Sequence, residues 1–396
     1  MRALLLLLAF LPSLAFADMP PPVKGRLTLT HVSKDAWRAD YRLEERVDAI
    51  EFGPAVVNFR GEAWAMATPG VELATDADKK ESVRSTGKPF DALRVNVKLY
   101  EPWAHDSYVP MDRHSDGGTA IYLGHFMGGV RQNGVLRNML LQIELKGLPG
   151  ETVFLPEEAN RDIGVYAYVG PQEISAIGGV RAIIDPATPT WVREAMADTA
   201  AKLANVYEAK LGRPAPRTLA LIVGAAGLAK PGYSIKGGAL PGQVVYKLEG
   251  NQLTNDSPLA RERLQQMVAH ELSHVWQGLV ARGGIGDTQP WVHEGGAEAL
   301  SSQALLQSGL WTPEQLARYS TGMQKECQDT EAKRAADPAM PTAWREHYTC
   351  GYVRYQKLGV DIFALWKGLM ARSEASGEPY SEAMVQAVAK ESTPAR

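Results

Sequence analysis

One stretch, residues 257–281, constrains this chain more than any other. Ser257-Pro258 supplies a side-chain cap and a first-position proline, and Gly283-Gly284 marks the stop, so the segment between is predicted to be one long helix. Within it Leu264, Val268, Leu272, Val275 and Leu279 fall within about 80° of helical arc, a face that must be buried against a core. His270 and His274 lie off that stripe, four residues apart and therefore one turn from each other on a common face. Imidazoles without partners would be costly on an enclosed helix, and a shared metal ion removes the cost. Glu271 sits about 60° round the helix from His274, within reach of a water on that ion.

The pentapeptide His270-Glu271-Leu272-Ser273-His274 is thus a two-imidazole metal site with a carboxylate placed as general base. Zinc suits two neutral imidazoles, one carboxylate and an open fourth position, so one Zn2+ per chain is expected. The third ligand must come from elsewhere, and Trp291-Val292-His293-Glu294-Gly295-Gly296-Ala297-Glu298 is the source. By residue chemistry both His293 and Glu294 qualify. Glu298, one helical turn beyond Glu294, is either a partner for a ligand imidazole or a solvated side chain.

H-E-x-x-H followed by W-x-x-E-G, with nineteen residues separating His274 from Glu294, resembles the gluzincin peptidases, in particular the aminopeptidase N and glycyl aminopeptidase-like branch. The resemblance covers about residues 217–358. It implies Glu294 as third ligand, Glu271 as base, and a peptide substrate. His347-Tyr348-Thr349-Cys350-Gly351 resembles the branch's Y-x-K-G segment, which implies that the Tyr348 hydroxyl stabilises the oxyanion; Cys350 replaces the lysine, and Tyr352 is the fallback. By position, Gly238-Ala239-Leu240-Pro241-Gly242 matches the G-x-M-E-N cleft strand, so Pro241 stands where that strand has its amine-binding glutamate. Cleavage at N-termini and internal cleavage therefore both stay open. A zinc-containing peptide- or partner-binding protein, and a zinc hydrolase of a non-peptide bond, are the rival readings.

The rest of the chain frames this site. Arg2, the apolar run 4–11 and Ala15-Phe16-Ala17 read as a cleavable export signal, 1–17, which leads to a secreted or periplasmic expectation. No later run is long and apolar enough to suggest a transmembrane segment. A formal net charge of −3 with no basic cluster argues against nucleic acid. Cys327 and Cys350 are an even pair in an exported chain and are expected to form a disulfide.

Between residues 24 and 185 short alternating segments recur at 27–30, 37–43, 93–99, 140–145 and 165–169, with the polar stretch 75–88 read as a surface loop and His125 as facing out of a strand. Beyond Asp185-Pro186-Ala187-Thr188-Pro189, read as a linker, helical spacing takes over. The expected architecture is α+β: a β-rich N-terminal domain (18–185), then a gluzincin-like catalytic domain (186–396) with a small sheet, a central zinc helix and a helical C-terminal lobe.

Overall fold

Period-two alternation in the first half of the chain produces strands with one buried face, whereas 3.6-residue periodicity in the second half produces helices. The computed structural model describes residues 20–53, 58–102, 108–157, 159, 164–280 and 289–392. The expected leader 1–17, His105 and the glycine-rich loop 282–287 lie outside the described residues. The first half contains β1 (Val23–Ser33), β2 (Ala36–Val47), β3 (Ala49–Phe52), α1 (Phe59–Ala63), β4 (Trp64–Met66), β5 (Val71–Thr75), β6 (Glu81–Ser85) and β7 (Phe90–Lys98). It continues with β8 (Met111–Arg113), β9 (Thr119–Tyr122), β10 (Gly128–Gln132), β11 (Val135–Lys146), β12 (Thr152–Phe154) and β13 (Tyr166–Gly170).

Nine of these strands form one sheet in the order β4-β7-β2-β1-β11-β10-β3-β6-β5, and four form a second, β12-β13-β9-β8. β1 lies antiparallel to β2 with Leu27 opposite Tyr41, and parallel to β11 with Leu27 opposite Ile143. The inward residues Leu27, Leu29, Trp37, Tyr41, Val95, Val97 and Ile143 share one core. The polar stretch 75–88 is not simply a loop, because β6 crosses it with Glu81, Ser82 and Val83 buried. Glu81 is drawn inside by Arg60, which is fully buried at 2.6 Å and also donates to the His125 carbonyl. His125 likewise does not face out: it sits buried in a 3-10 turn, with Nε2 3.1 Å from the Tyr108 carbonyl oxygen.

The second half contains β14 (Ser175–Ile177), β15 (Val180–Ile184), α2 (Thr190–Leu211), β16 (Ala220–Gly227), β17 (Ser234–Leu240), β18 (Gln243–Glu249) and α3 (Pro258–Gln277). The helical lobe is α4 (Pro290–Gln307), α5 (Pro313–Ala336), α6 (Trp344–Lys357), α7 (Ile362–Ser376) and α8 (Glu382–Ser392). The five-stranded sheet runs β14-β15-β16-β18-β17, its middle three strands parallel and β17 antiparallel at the edge. The segment 185–189 joins β15 to α2, and Asp185 is fully buried, accepting from the Ser115 and Ala225 amides at 3.0 and 3.2 Å.

One face of this sheet meets the four-stranded sheet through Ile183, Ala220, Ile222, Ala120, Phe154 and Tyr166. The Gln243 amide seals that contact with a two-way bond to the Tyr166 backbone at 2.7 and 2.8 Å. The other face carries α2 and α3, tied by Tyr207, whose hydroxyl lies 2.6 Å from the Ser273 hydroxyl, and by Tyr246, which donates to the Met267 carbonyl. No described helix is long and apolar enough to cross a membrane.

Candidate metal centre

α3 starts as its sequence dictates: the Ser257 hydroxyl accepts from the Ala260 amide and Pro258 occupies the first turn. Its apolar stripe is buried from Leu264 to Val275, while Leu279, beyond the helix end, is 37% exposed. Burying that stripe against α2 and the sheet turns His270 and His274 towards α4.

α4 is buried on nearly all sides, and glycine lets α6 approach it closely. A Cβ on Gly351 would lie 2.8 Å from the Gly295 Cα, and a Cβ on Gly295 would collide with the Gly351 backbone. This glycine-to-glycine crossing is why Glu294, just before Gly295, and Tyr348, one turn before Gly351, reach the same place.

There His270, His274 and Glu294 converge. The His270 and His274 Nε2 atoms are 3.0 Å apart, and the Glu294 Oε2 atom is 3.1 and 3.3 Å from them. These are the edges expected of a tetrahedral ion with bonds of about 2.0–2.1 Å, for which ligand atoms stand about 3.3 Å apart.

The acceptors that face the outer nitrogens fix what the rings offer. His274 Nδ1 faces the Gln277 side-chain oxygen at 2.7 Å, and that amide is oriented by donating its NH2 to the His293 carbonyl at 3.1 Å. His270 Nδ1 faces the Glu298 carboxylate at 3.5 Å. Both partners accept, so each ring carries its proton on Nδ1 and turns a bare Nε2 lone pair inward. Two lone pairs and a carboxylate oxygen at such distances repel unless a cation lies between them. The donor set, two nitrogens and one oxygen with an open side, fits zinc.

Charge draws the same groups together, and a proton on the His270 Nε2 competes with a metal ion for that position. Burial works to raise the Glu294 carboxyl, yet His274 and His270 hold it well below the ordinary carboxylate range. Burial opposes a charged His270, but the Glu298 and Glu294 carboxylates push it well above the usual imidazole value. Glu271 goes the other way: burial raises its carboxyl, only partly offset by His270 and His274. Glu294 and Glu271 are thus driven in opposite directions, one kept as an anion beside the imidazoles and the other poised to take a proton.

The remaining sequence-predicted residues fall into place around this core. His293 lies beside Glu294, its Nε2 3.5 Å from the other carboxylate oxygen, outside the three-atom cluster. Glu298 is buried behind His270, where Tyr319 and Gln266 donate to it. Tyr348 stacks on the His270 ring at 5.2 Å and 24°. Tyr352, one turn further along α6, instead packs edge-on against Tyr319 and accepts from Gln356.

Cys327 on α5 and Cys350 on α6 form a disulfide with a Cα separation of 5.0 Å. The match of 238–242 to a cleft strand shifts in register: Pro241 and Gly242 form the turn from β17 to β18. The residue that meets the base is Gly237, whose Cβ, if present, would stand 3.0 Å from the Glu271 Cγ. No acidic side chain occurs anywhere on β17.

Gln277, Tyr319 and Trp344 went unread in the sequence. Gln277 had a signal, three residues after His274 on one helix face. Trp344 likewise stands one turn before Tyr348. Tyr319 had none, because it arrives from α5 by tertiary packing.

The sequence matches no known family and no curated protein. Solved structures do resemble it. An aminopeptidase N family protein from Idiomarina loihiensis superposes with a TM-score of 0.61 over 92% of this chain and 72% of its own, at 10% identity. The fold is that of the aminopeptidase N-like peptidases. Yeast LTA4 hydrolase superposes with a TM-score of 0.50 at 10% identity, over 94% of this chain and 65% of its own. A zinc metallopeptidase of the M1 group from Deinococcus radiodurans aligns over 94% of this chain and 90% of its own at 15% identity, with a TM-score of 0.44.

Proposed function

We propose that the protein is an exported zinc-dependent peptidase in which His270, His274 and Glu294 hold one Zn2+ and Glu271 is the general base. The observation that carries this reading is the convergence of two imidazole Nε2 atoms and one carboxylate oxygen within 3.3 Å of each other, beside a half-buried Glu271 whose pKa is raised by desolvation. A zinc ion held by these residues would supply Lewis acidity for water activation and carbonyl polarisation. Glu271 takes the proton from the attacking water and hands it to the leaving amine. The Tyr348 hydroxyl donates to the carbonyl oxygen as negative charge builds there. Glu298 and Gln277 keep the two imidazoles in the tautomer that points Nε2 inward.

An extended peptide is the substrate that suits the edge strand β17, which borders Glu271 and lies open for backbone pairing. With no acidic side chain on β17 to hold a free amine, internal cleavage fits as well as N-terminal trimming. The Cys327–Cys350 disulfide supports an oxidising destination, consistent with a leader at 1–17.

A second reading, a zinc hydrolase of a non-peptide bond, is favoured by the same missing carboxylate and by the likeness to yeast LTA4 hydrolase. Digesting a mixed peptide pool with the zinc-loaded protein, beside ester and epoxide substrates, separates the two. New peptide ends detected by mass spectrometry are the expected result. Turnover confined to esters or epoxides would overturn the peptidase reading.

A further inference from the structure

Beside the metal centre lies a cavity of about 360 Å³ between the four-stranded sheet and the β17–β18 edge. Its walls are Tyr108, Ile222, Val245, Tyr246 and Trp344, and two glycines of β17, Gly237 and Gly238, border it. The charged groups on its floor, Asp112 and Lys247, are paired at 2.9 Å and offset each other, while Lys236 is exposed at the rim. The cavity touches the catalytic residues at two points. Gly237 adjoins Glu271, and Trp344 donates from Nε1 to the Tyr348 hydroxyl oxygen at 3.1 Å.

Trp344 is the least expected of these residues. It is 57% exposed at the start of α6, with its ring edge-on to His347, so core packing does not account for it. A large apolar ring left open beside a reacting centre gains stability when a ligand covers it.

Its hydrogen bond has a further consequence. A tyrosine hydroxyl has one hydrogen to donate and two lone pairs, and an indole N–H can only donate. By occupying a lone pair of Tyr348, Trp344 leaves the phenolic hydrogen to point towards Glu294 and the metal centre.

We propose that Trp344 is a specificity and positioning residue: its indole packs against a large apolar or aromatic side chain of the substrate, and its N–H aims the Tyr348 hydroxyl at the scissile carbonyl. This rests on the peptidase reading above, and it adds a substrate class: peptides with a bulky apolar residue next to the cleaved bond.

Two arms test it. In the first, the zinc-loaded wild type, Trp344→Phe and Trp344→Ala proteins digest a mixed-sequence peptide pool, and one peptide cut by the wild type is then taken through full kinetics. Trp344→Phe keeps the ring and loses the N–H; kcat should fall about tenfold with KM within about twofold, and the preferred residue should not change. Trp344→Ala should also raise KM and flatten the preference. Wild-type kcat in Trp344→Phe would overturn the positioning role.

In the second arm, zinc-loaded Glu271→Gln protein, with or without Trp344→Ala, captures peptides from the same pool. Enrichment of bulky apolar residues that disappears with Trp344→Ala is expected. Enrichment that survives it, or no such enrichment at all, would overturn the specificity role. If the wild type cuts nothing, the peptidase reading fails, and the capture arm alone still decides whether the pocket selects apolar side chains.

Discussion

Replacing Glu298 by glutamine removes one negative charge behind His270 while keeping the side chain's size and an acceptor oxygen. The carboxylate is 5% exposed, and its Oε1 stands 3.5 Å from the His270 Nδ1. Two full charges at that distance would interact by about 5 kcal/mol at an effective dielectric constant of 20, which is a ceiling. The Nδ1–H of an imidazole that ligates a metal carries only part of a charge, so the loss is about 1.4–2.8 kcal/mol, or 10- to 100-fold in zinc affinity. The assay is competition for zinc between the metal-free protein and a chromophoric chelator at neutral pH, with melting temperature as a check on folding. Tyr319→Phe, which removes one donor to the same carboxylate, should weaken zinc binding by a smaller factor. If Glu298→Gln binds zinc within about twofold of wild type, the argument that Glu298 sets the His270 tautomer and basicity is wrong.

Three other outcomes follow from the same geometry. The Cys327–Cys350 bond closes a sequence separation of 23 residues, so replacing both cysteines by serine should cost about 3 kcal/mol in urea denaturation; two free sulfhydryls in the denatured wild type would refute the bond itself. Arg60→Met strands the buried Glu81 carboxylate and should cost about 3–5 kcal/mol, read as a lower melting temperature with zinc content unchanged. Burial raises the Glu271 carboxyl, and a general base works only when deprotonated. Activity should therefore be lost, as pH falls, at a higher pH than an ordinary carboxylate would give, and a kcat/KM profile with its acid limb in the ordinary carboxylate range would count against this.

Where local chemistry decides structure, the sequence was readable. Ser257-Pro258 begins α3 and Gly212, at φ 66°, ends α2, because capping and left-handed termini are properties of a few adjacent residues. The His270–His274 pair was readable because helical periodicity alone puts i and i+4 on one face. Partners brought by tertiary packing were not. Glu81 looks solvated in sequence but is buried by Arg60, twenty-one residues earlier, and this hides β6. His125 is enclosed because Arg60 and Tyr108 meet its backbone and ring. Strand β15 joins the five-stranded sheet through parallel pairing with β16, with β14 antiparallel beside it, a non-local choice that no spacing rule reports. At the site, Glu298 had two readings in sequence, and only the arrival of Tyr319 from α5 and Gln266 from α3 decides between them. Pro241 fell in a turn, because matching a strand by residue count cannot locate where the strand ends.

The central claim is that these residues form a zinc site whose chemistry runs through Glu271. Its most direct test is a paired measurement on Glu271→Gln: zinc per chain, and the rate of peptide cleavage relative to wild type. The account predicts one zinc per chain in both proteins and cleavage abolished in the variant. Undiminished cleavage by Glu271→Gln, or a wild-type protein that binds no zinc, would contradict it.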